Sequence, residues 1–280
     1  MTTSTETPPV ESAPTEVDSV KAEPVNADPV KTDPMDTEPV PTGSIKPELV
    51  RPEPIKPEPI KPVPIRIDFV SDVTCPWCAI GLKSLERALE RIGNRIQVDL
   101  RLQPFELNPQ MPPEGKDAAE HLMQKYGTTL EQLERNRDTI RARGAELGFV
   151  FNERKRVYNT FDAHRLLHWA ALEGCAHALK SALLRAYLTD GEDVSSTETL
   201  VRIAEEVGLD RQRAQRILST DIYAGDVRAQ ELHYTQRGIH SVPSVIINRR
   251  HLIQGGQPVE TFENALWKIA GLGESNPATT

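Results

Sequence analysis

A chain of 280 residues, 38% of them apolar, is long enough for one large domain or two small ones and can build a core. Most of its formal net charge of −8 sits in residues 1–65, which hold 12 acidic and 6 basic side chains, so the remainder is nearly neutral and offers no basic field for nucleic acid. No apolar run reaches the roughly 18 residues of a membrane span, no secretory signal opens the chain, and three cysteines are too few for a secreted disulfide scaffold, so the expected location is cytoplasmic.

Residues 1–63 read as a disordered tail. From Met1 to Ile65 there is no Phe, Trp or Tyr, and 15 of the 23 prolines fall there, too little apolar surface to offset the entropy of ordering. Prolines recur every five residues (Pro24, Pro29, Pro34, Pro39, then Pro47, Pro52, Pro57, Pro62), which favours extended polyproline II. Such a segment serves as a spacer, or as a multivalent docking site for a partner that reads proline motifs.

Folded sequence begins at Ile65-Arg66-Ile67-Asp68-Phe69-Val70, whose alternation predicts a strand. Cys75-Pro76-Trp77-Cys78 follows, and then Ile80, Leu82, Leu85, Leu89 and Ile92 recur at near-helical spacing and stop at Gly93. A second strand over Ile96–Leu102 completes a β–Cys-x-x-Cys–α–β unit with parallel strands. Helices are expected near 116–126, 129–147, 161–173, 175–189, 197–207, 211–218 and 221–237, with a capping box at Ser195 and Glu198. Two strands then flank a turn at Arg249-Arg250, and Pro258 opens a last helix. The expected organisation is an α/β core over 64–103 and 225–272, an inserted helical subdomain over 104–224, and a flexible end at 273–280.

The chemistry centres on the two close cysteines. Cys75 precedes the first helical turn, where unpaired N–H groups and the helix dipole favour a thiolate, so it is expected to attack; Cys78, one turn further in, is spaced to resolve. Pro76 suits the first helical position and Trp77 borders the site. A zinc site would need two further close ligands; Cys175 stands alone, expected as a buried small hydrophobe, and His164 with His168 lacks a companion cysteine pair. No metal and no bound cofactor are expected.

The segments Asp68 to Gly81, Pro104-Phe105-Glu106-Leu107-Asn108-Pro109, Asn159 to Leu166, Ser241-Val242-Pro243 and Gly255-Gly256-Gln257-Pro258 resemble, in order, the DsbA-like thioredoxin-fold proteins of the FrnE type. The resemblance covers about residues 65–271. It implies a thioredoxin fold with a large helical insertion, a cis peptide between Val242 and Pro243 beside Cys75, and a helix from Asn159 lying over the active site. With Pro76 and Trp77, the residues Val242, Pro243 and His164 are then candidates for substrate contact. The activity expected is thiol–disulfide exchange or isomerisation on protein or small disulfides, with a redox-active Cys75–Cys78 pair and glutathione as a possible co-substrate. Glutathione transferases of the kappa type and 2-hydroxychromene-2-carboxylate isomerases share the architecture and give the alternative, although they typically carry a single Ser where this chain has Cys75. A third reading makes the tail the working part and the fold an adaptor body.

Overall fold

The computed structural model describes residues 61–273. The proline-repeat tail, its expected disorder and docking role, and the carboxyl end beyond Gly273 lie outside the described residues.

Strand β1 (Val63–Ser71) is flanked on both sides, by β2 (Ile96–Pro104) in parallel, Val63 against Ile96 through Ser71 against Pro104, and by β5 (Ser244–Ile247) in antiparallel. β6 (His251–Gln254) pairs with β5 and gives the order β2-β1-β5-β6. A central strand covered on both faces has no wet side, and Ile67, Phe69 and Val70 are fully buried. Burying a side chain such as Phe69 contributes about 2–3 kcal/mol. Asp68 is buried as well, held by Arg66 at 2.7 Å and by the Gln103 amide at 3.1 Å.

Helix α1 (Pro76–Ile92) turns its apolar stripe of Ile80, Leu82, Leu85 and Ala88 inward and stops at Gly93, whose φ of 63° is open to glycine and costly for other residues. Between β2 and β5 come α2 (Ala118–Tyr126), α3 (Leu130–Glu146), α4 (Phe161–Leu172), α5 (Ala176–Leu188), α6 (Thr197–Glu206), α7 (Arg211–Leu218) and α8 (Ala224–Thr235); α9 (Val259–Ile269) closes the fold against α1. Asp117 caps α2, a Thr129–Gln132 capping box starts α3, and Asp210 caps α7. Apart from a small cluster of Met111, Ala118 and Val157, the helical block shares its core with the sheet. Ile67 and Phe69 of the sheet, Leu85 of α1, Leu166 of α4, Leu183 of α5, Leu200 of α6 and Phe262 of α9 belong to one continuous apolar cluster.

Four local expectations need correction. The sheet hairpin turns over residues 248–250, one residue longer than the Arg pair suggests, with φ of 51° at Asn248 and 58° at Arg249. Asn tolerates the left-handed region, and Asn248 Oδ1 also accepts the Arg66 N–H at 3.0 Å, which fixes the register. Ser195 does not cap α6: its hydroxyl donates to Asp193 at 2.6 Å and the helix starts at Thr197. Two short strands, β3 (Lys116–Asp117) and β4 (Arg156–Val157), pair antiparallel and delay α2 to Ala118. Cys175 is only partly buried, at the amino end of α5.

Candidate functional site

The site forms where β1 ends and α1 begins. Cys75 is the residue before the helix, with extended backbone, and its carbonyl accepts the N–H groups of Cys78 at 3.1 Å and Ala79 at 3.4 Å. Pro76 occupies the first turn, where its missing N–H leaves no bond unmade. Both cysteines are free thiols, Cys75 5% exposed and Cys78 fully buried. Their acidities are pushed apart. The Cys78 thiol hydrogen-bonds the Cys75 sulfur and, with the N–H groups of Cys78 and Trp77, pulls the Cys75 pKa below the ordinary thiol value despite burial; burial followed by the bond to Cys75 drives Cys78 well above it.

The cis peptide implied by the resemblance is present between Val242 and Pro243, and the Cys75 thiol points at the Val242 carbonyl oxygen, 3.8 Å away. Two glycines allow this close approach. A Cβ on Gly81 would meet Pro243 Cγ at 3.0 Å, and one on Gly256 would meet the Trp77 carbonyl oxygen at 2.9 Å and the indole Cε3 at 3.0 Å. Gly256→Ala is therefore expected to shift Trp77 and the first turn of α1, destabilising the protein by about 1–3 kcal/mol. Thermal unfolding together with the alkylation rate of Cys75 measures both effects; an unchanged rate would mean that the turn absorbs the methyl group elsewhere.

Behind the cysteines lies a buried polar layer. Asp72 accepts the Leu107 N–H at 2.7 Å and the Thr74 N–H at 3.3 Å, and His164 Nε2 stands 3.6 Å from the Asp72 carboxylate and 3.1 Å from the Phe105 carbonyl oxygen. Burial raises the Asp72 pKa, but His164 and the Leu107 N–H outweigh it and hold the group below the ordinary carboxylate value. His164, 2% exposed, faces this layer and not the open surface. Lys180 of α5 enters the same layer at 1% exposure, its Nζ donating to the Ser71 carbonyl at 3.5 Å. Sequence reasoning missed Asp72 and Lys180 as members of the site. The signal for Lys180 was present: it lies in the apolar row Leu179, Leu183, Leu184 and Tyr187 of α5, where a cation is out of place.

Around the opening, Trp77 is 36% exposed and Tyr126 projects further into solvent. Lys125 donates to the Leu107 carbonyl at 2.6 Å and to Asn108 Oδ1 at 2.8 Å, close enough to the cysteine to feel its charge. Glu106, buried, pairs with Arg228, whose guanidinium stacks 3.8 Å from the Phe161 ring centroid and also binds Glu231 at 2.8 Å, tying the Pro104–Pro109 loop to α4 and α8. Asn159 Oδ1 accepts the Phe161 N–H at 2.9 Å and helps to start α4. The residues expected at the site come together, with Cys75, Pro76, Trp77, Cys78, Val242 and Pro243 at its mouth and His164 beneath it; His168, not expected there, contacts Gln230 and Tyr223.

Among the described residues, no cluster of three or more His, Cys, Asp or Glu could hold a metal ion, and no helix is long and apolar enough to cross a membrane. An acidified sulfur at the amino end of α1 and a fully buried sulfur one turn further in form an arrangement suited to attack on a disulfide followed by internal displacement.

Comparison with known proteins agrees with this geometry. A family model described as a DSBA-like thioredoxin domain matches residues 66–267. The probable DsbA oxidoreductase SCO1869 from Streptomyces coelicolor is 34% identical, with a TM-score of 0.70 over 77% of this chain and 93% of that one. The uncharacterized protein YwbO of Bacillus subtilis (strain 168) is 27% identical over 206 residues, 71% of this chain and 94% of its own. The fold is shared, at lower identity, by a 2-hydroxychromene-2-carboxylate isomerase (16%, TM-score 0.57, 75% of this chain and 100% of that one). It is also shared by the cytosolic disulfide reductase DsbM of Pseudomonas aeruginosa with GSH (18%, TM-score 0.52, 73% and 98%).

Proposed function

The chain belongs to the DsbA-like thioredoxin family of oxidoreductases, and from that premise we propose that it catalyses thiol–disulfide exchange through Cys75 and Cys78. The observation that carries the reading is the placement of the two thiols across one helical turn: Cys75 stands at the amino end of α1 and faces the Val242–Pro243 cis peptide, with its acidity raised by Cys78 and the helix N–H groups, while Cys78 is fully enclosed. Cys75 thiolate attacks a substrate disulfide and expels one thiol; Cys78 then attacks the Cys75 sulfur of the mixed disulfide, expels the second thiol and leaves the Cys75–Cys78 disulfide. Trp77, Val242 and Pro243 border the path by which substrate reaches Cys75, and Asp72 with His164 fixes the floor beneath it. The substrates are protein or small-molecule disulfides, and glutathione is the thiol that returns the pair to the dithiol state in a cytoplasmic setting.

The test is to mix the reduced protein with oxidised glutathione and with a disulfide-bonded protein, following the formation of the Cys75–Cys78 disulfide by mass. Exchange with either supports the reading. A glutathione adduct of a model electrophile formed at equal rate by wild type and Cys75→Ser, with no disulfide exchange, would instead place the chain with the glutathione-dependent transferases and isomerases of this architecture.

A further inference from the structure

Glu106 and Glu231 reach the same guanidinium nitrogen. Arg228 Nη1 donates to Glu106 Oε2 and, at 2.8 Å, to Glu231 Oε2, while the guanidinium carbon lies 3.8 Å from the Phe161 ring centroid. The other oxygen of each carboxyl, Oε1, is buried and has no hydrogen-bond partner among the described residues. The two side chains are 2% and 13% exposed, so water does not bathe either group. With both carboxyls ionised, one negative charge would stand unbalanced and two buried acceptors would lack a donor, an expensive arrangement away from solvent. A single proton removes both faults. On Glu106 Oε1 it neutralises the surplus charge and supplies a donor that Glu231 Oε1 can accept.

The surroundings favour that placement. Burial and the Glu231 charge raise the Glu106 pKa above the ordinary carboxylate value, against Arg228 and His164, which lower it. Of the other charged groups on the neighbouring elements, Asp162 and Arg165 of α4 bind each other at 2.8 Å, and Asp72 at the end of β1 engages His164. Glu106 also stands between two residues that hold the floor of the exchange site. The Phe105 carbonyl oxygen lies 3.1 Å from His164 Nε2, and the Leu107 N–H donates to Asp72 at 2.7 Å.

We propose that Glu106 is a positioning residue that works as a neutral acid: it holds a proton toward Glu231, Arg228 clamps the two carboxyls, and the clamp seats residues 105–107 against Asp72 and His164. The inference deepens the disulfide-exchange reading and rests on it. The proton stays in the clamp and takes no part in the thiol chemistry. Its loss sets two carboxylates against each other on one nitrogen, so the segment is released as pH rises. A carboxyl whose folded pKa lies above the unfolded value of about 4.3 gives stability that is complete below the unfolded value and lost as pH rises through the folded one.

The experiment follows the Glu106 carboxyl carbon by NMR in the full-length reduced protein across the acid-to-alkaline range, with the signal assigned by its loss in Glu106→Gln. Denaturant unfolding and the rates of exchange with oxidised glutathione and with a disulfide-bonded protein are measured over the same range. Glu106 should titrate above about 4.3, and in Glu231→Gln its titration should move to lower pH because the opposing charge has gone. The Glu106→Gln side chain mimics the neutral acid and keeps a donor. The ratio of wild-type to Glu106→Gln folding constants should therefore be level at the acid end, then fall by about tenfold per pH unit between the unfolded and folded Glu106 titrations. The corresponding ratio of exchange rates should fall across the folded titration. A Glu106 titration at or below the ordinary value, or one that Glu231→Gln leaves in place, overturns the inference. So does a level ratio of exchange rates across a raised titration, since the proton would then position nothing. If neither wild type nor Glu106→Gln exchanges with either disulfide, the disulfide-exchange reading itself fails and the positioning role falls with it.

Discussion

Cys75→Ser is expected to abolish disulfide exchange, lowering the rate by on the order of 10⁴-fold or more, to the background of the assay. A serine hydroxyl is not ionised at neutral pH, and the remaining sulfur cannot take over: Cys78 has no exposed surface and its thiol is pushed well above the ordinary value by burial. Alkylating single-cysteine variants across pH 4–9 checks the assignment directly. The Cys75 profile should rise at a pH below that of an ordinary thiol, and Cys78 should react slowly and only at higher pH. If the Cys75→Ser protein turned over substrate, or if Cys78 proved the faster thiol, the roles would be reversed.

Cys78→Ser should give the opposite failure. Attack by Cys75 proceeds, but with no second sulfur to displace the product the enzyme stalls as a mixed disulfide, visible as a stable adduct on a non-reducing gel within one turnover. The Ser and Ala variants at this position should also differ. Because the Cys78 thiol donates the largest stabilising bond to the Cys75 sulfur, a serine hydroxyl retains part of that effect, whereas Cys78→Ala should move the Cys75 titration up toward the ordinary thiol range. The sign has a consequence for the reduced protein. A thiol whose folded pKa is depressed adds stability as pH rises from that value to the unfolded value near 8.5, and this contribution is lost as pH falls through the folded pKa; Cys78→Ala should lose it over the same window. Equal titrations in the Ser and Ala variants would remove the thiol–thiol bond as the cause.

Much of the scaffold was legible because its signals are local. The apolar row of α1 and the glycine that ends it read directly as a helix with the cysteines at its start, and the resemblance marked the Val242–Pro243 loop. The hairpin turn was read one residue short because Asn248 looks like the end of the strand, whereas the backbone needs a residue at ease with positive φ there. β3 and β4 are two residues each, too short for any period to show, and they pair across some forty residues of chain. The polar layer was the hardest part to foresee. Asp72, His164 and Lys180 come from three parts of the chain; the resemblance points to His164 and the apolar row of α5 makes Lys180 conspicuous, but only burial shows the three as one assembly.

The continuous apolar cluster that joins the sheet to the helices between β2 and β5 makes the molecule cooperative. Leu166, Leu183 and Leu200 share that cluster with Ile67 and Phe69, so the helical block is expected to unfold together with the sheet. Trp169 in the helical block and Trp267 in α9, which packs against α1, are both buried and are expected to report one shared transition. A substitution that loosens α6, far in sequence from the cysteines, therefore weakens the support of the exchange centre itself.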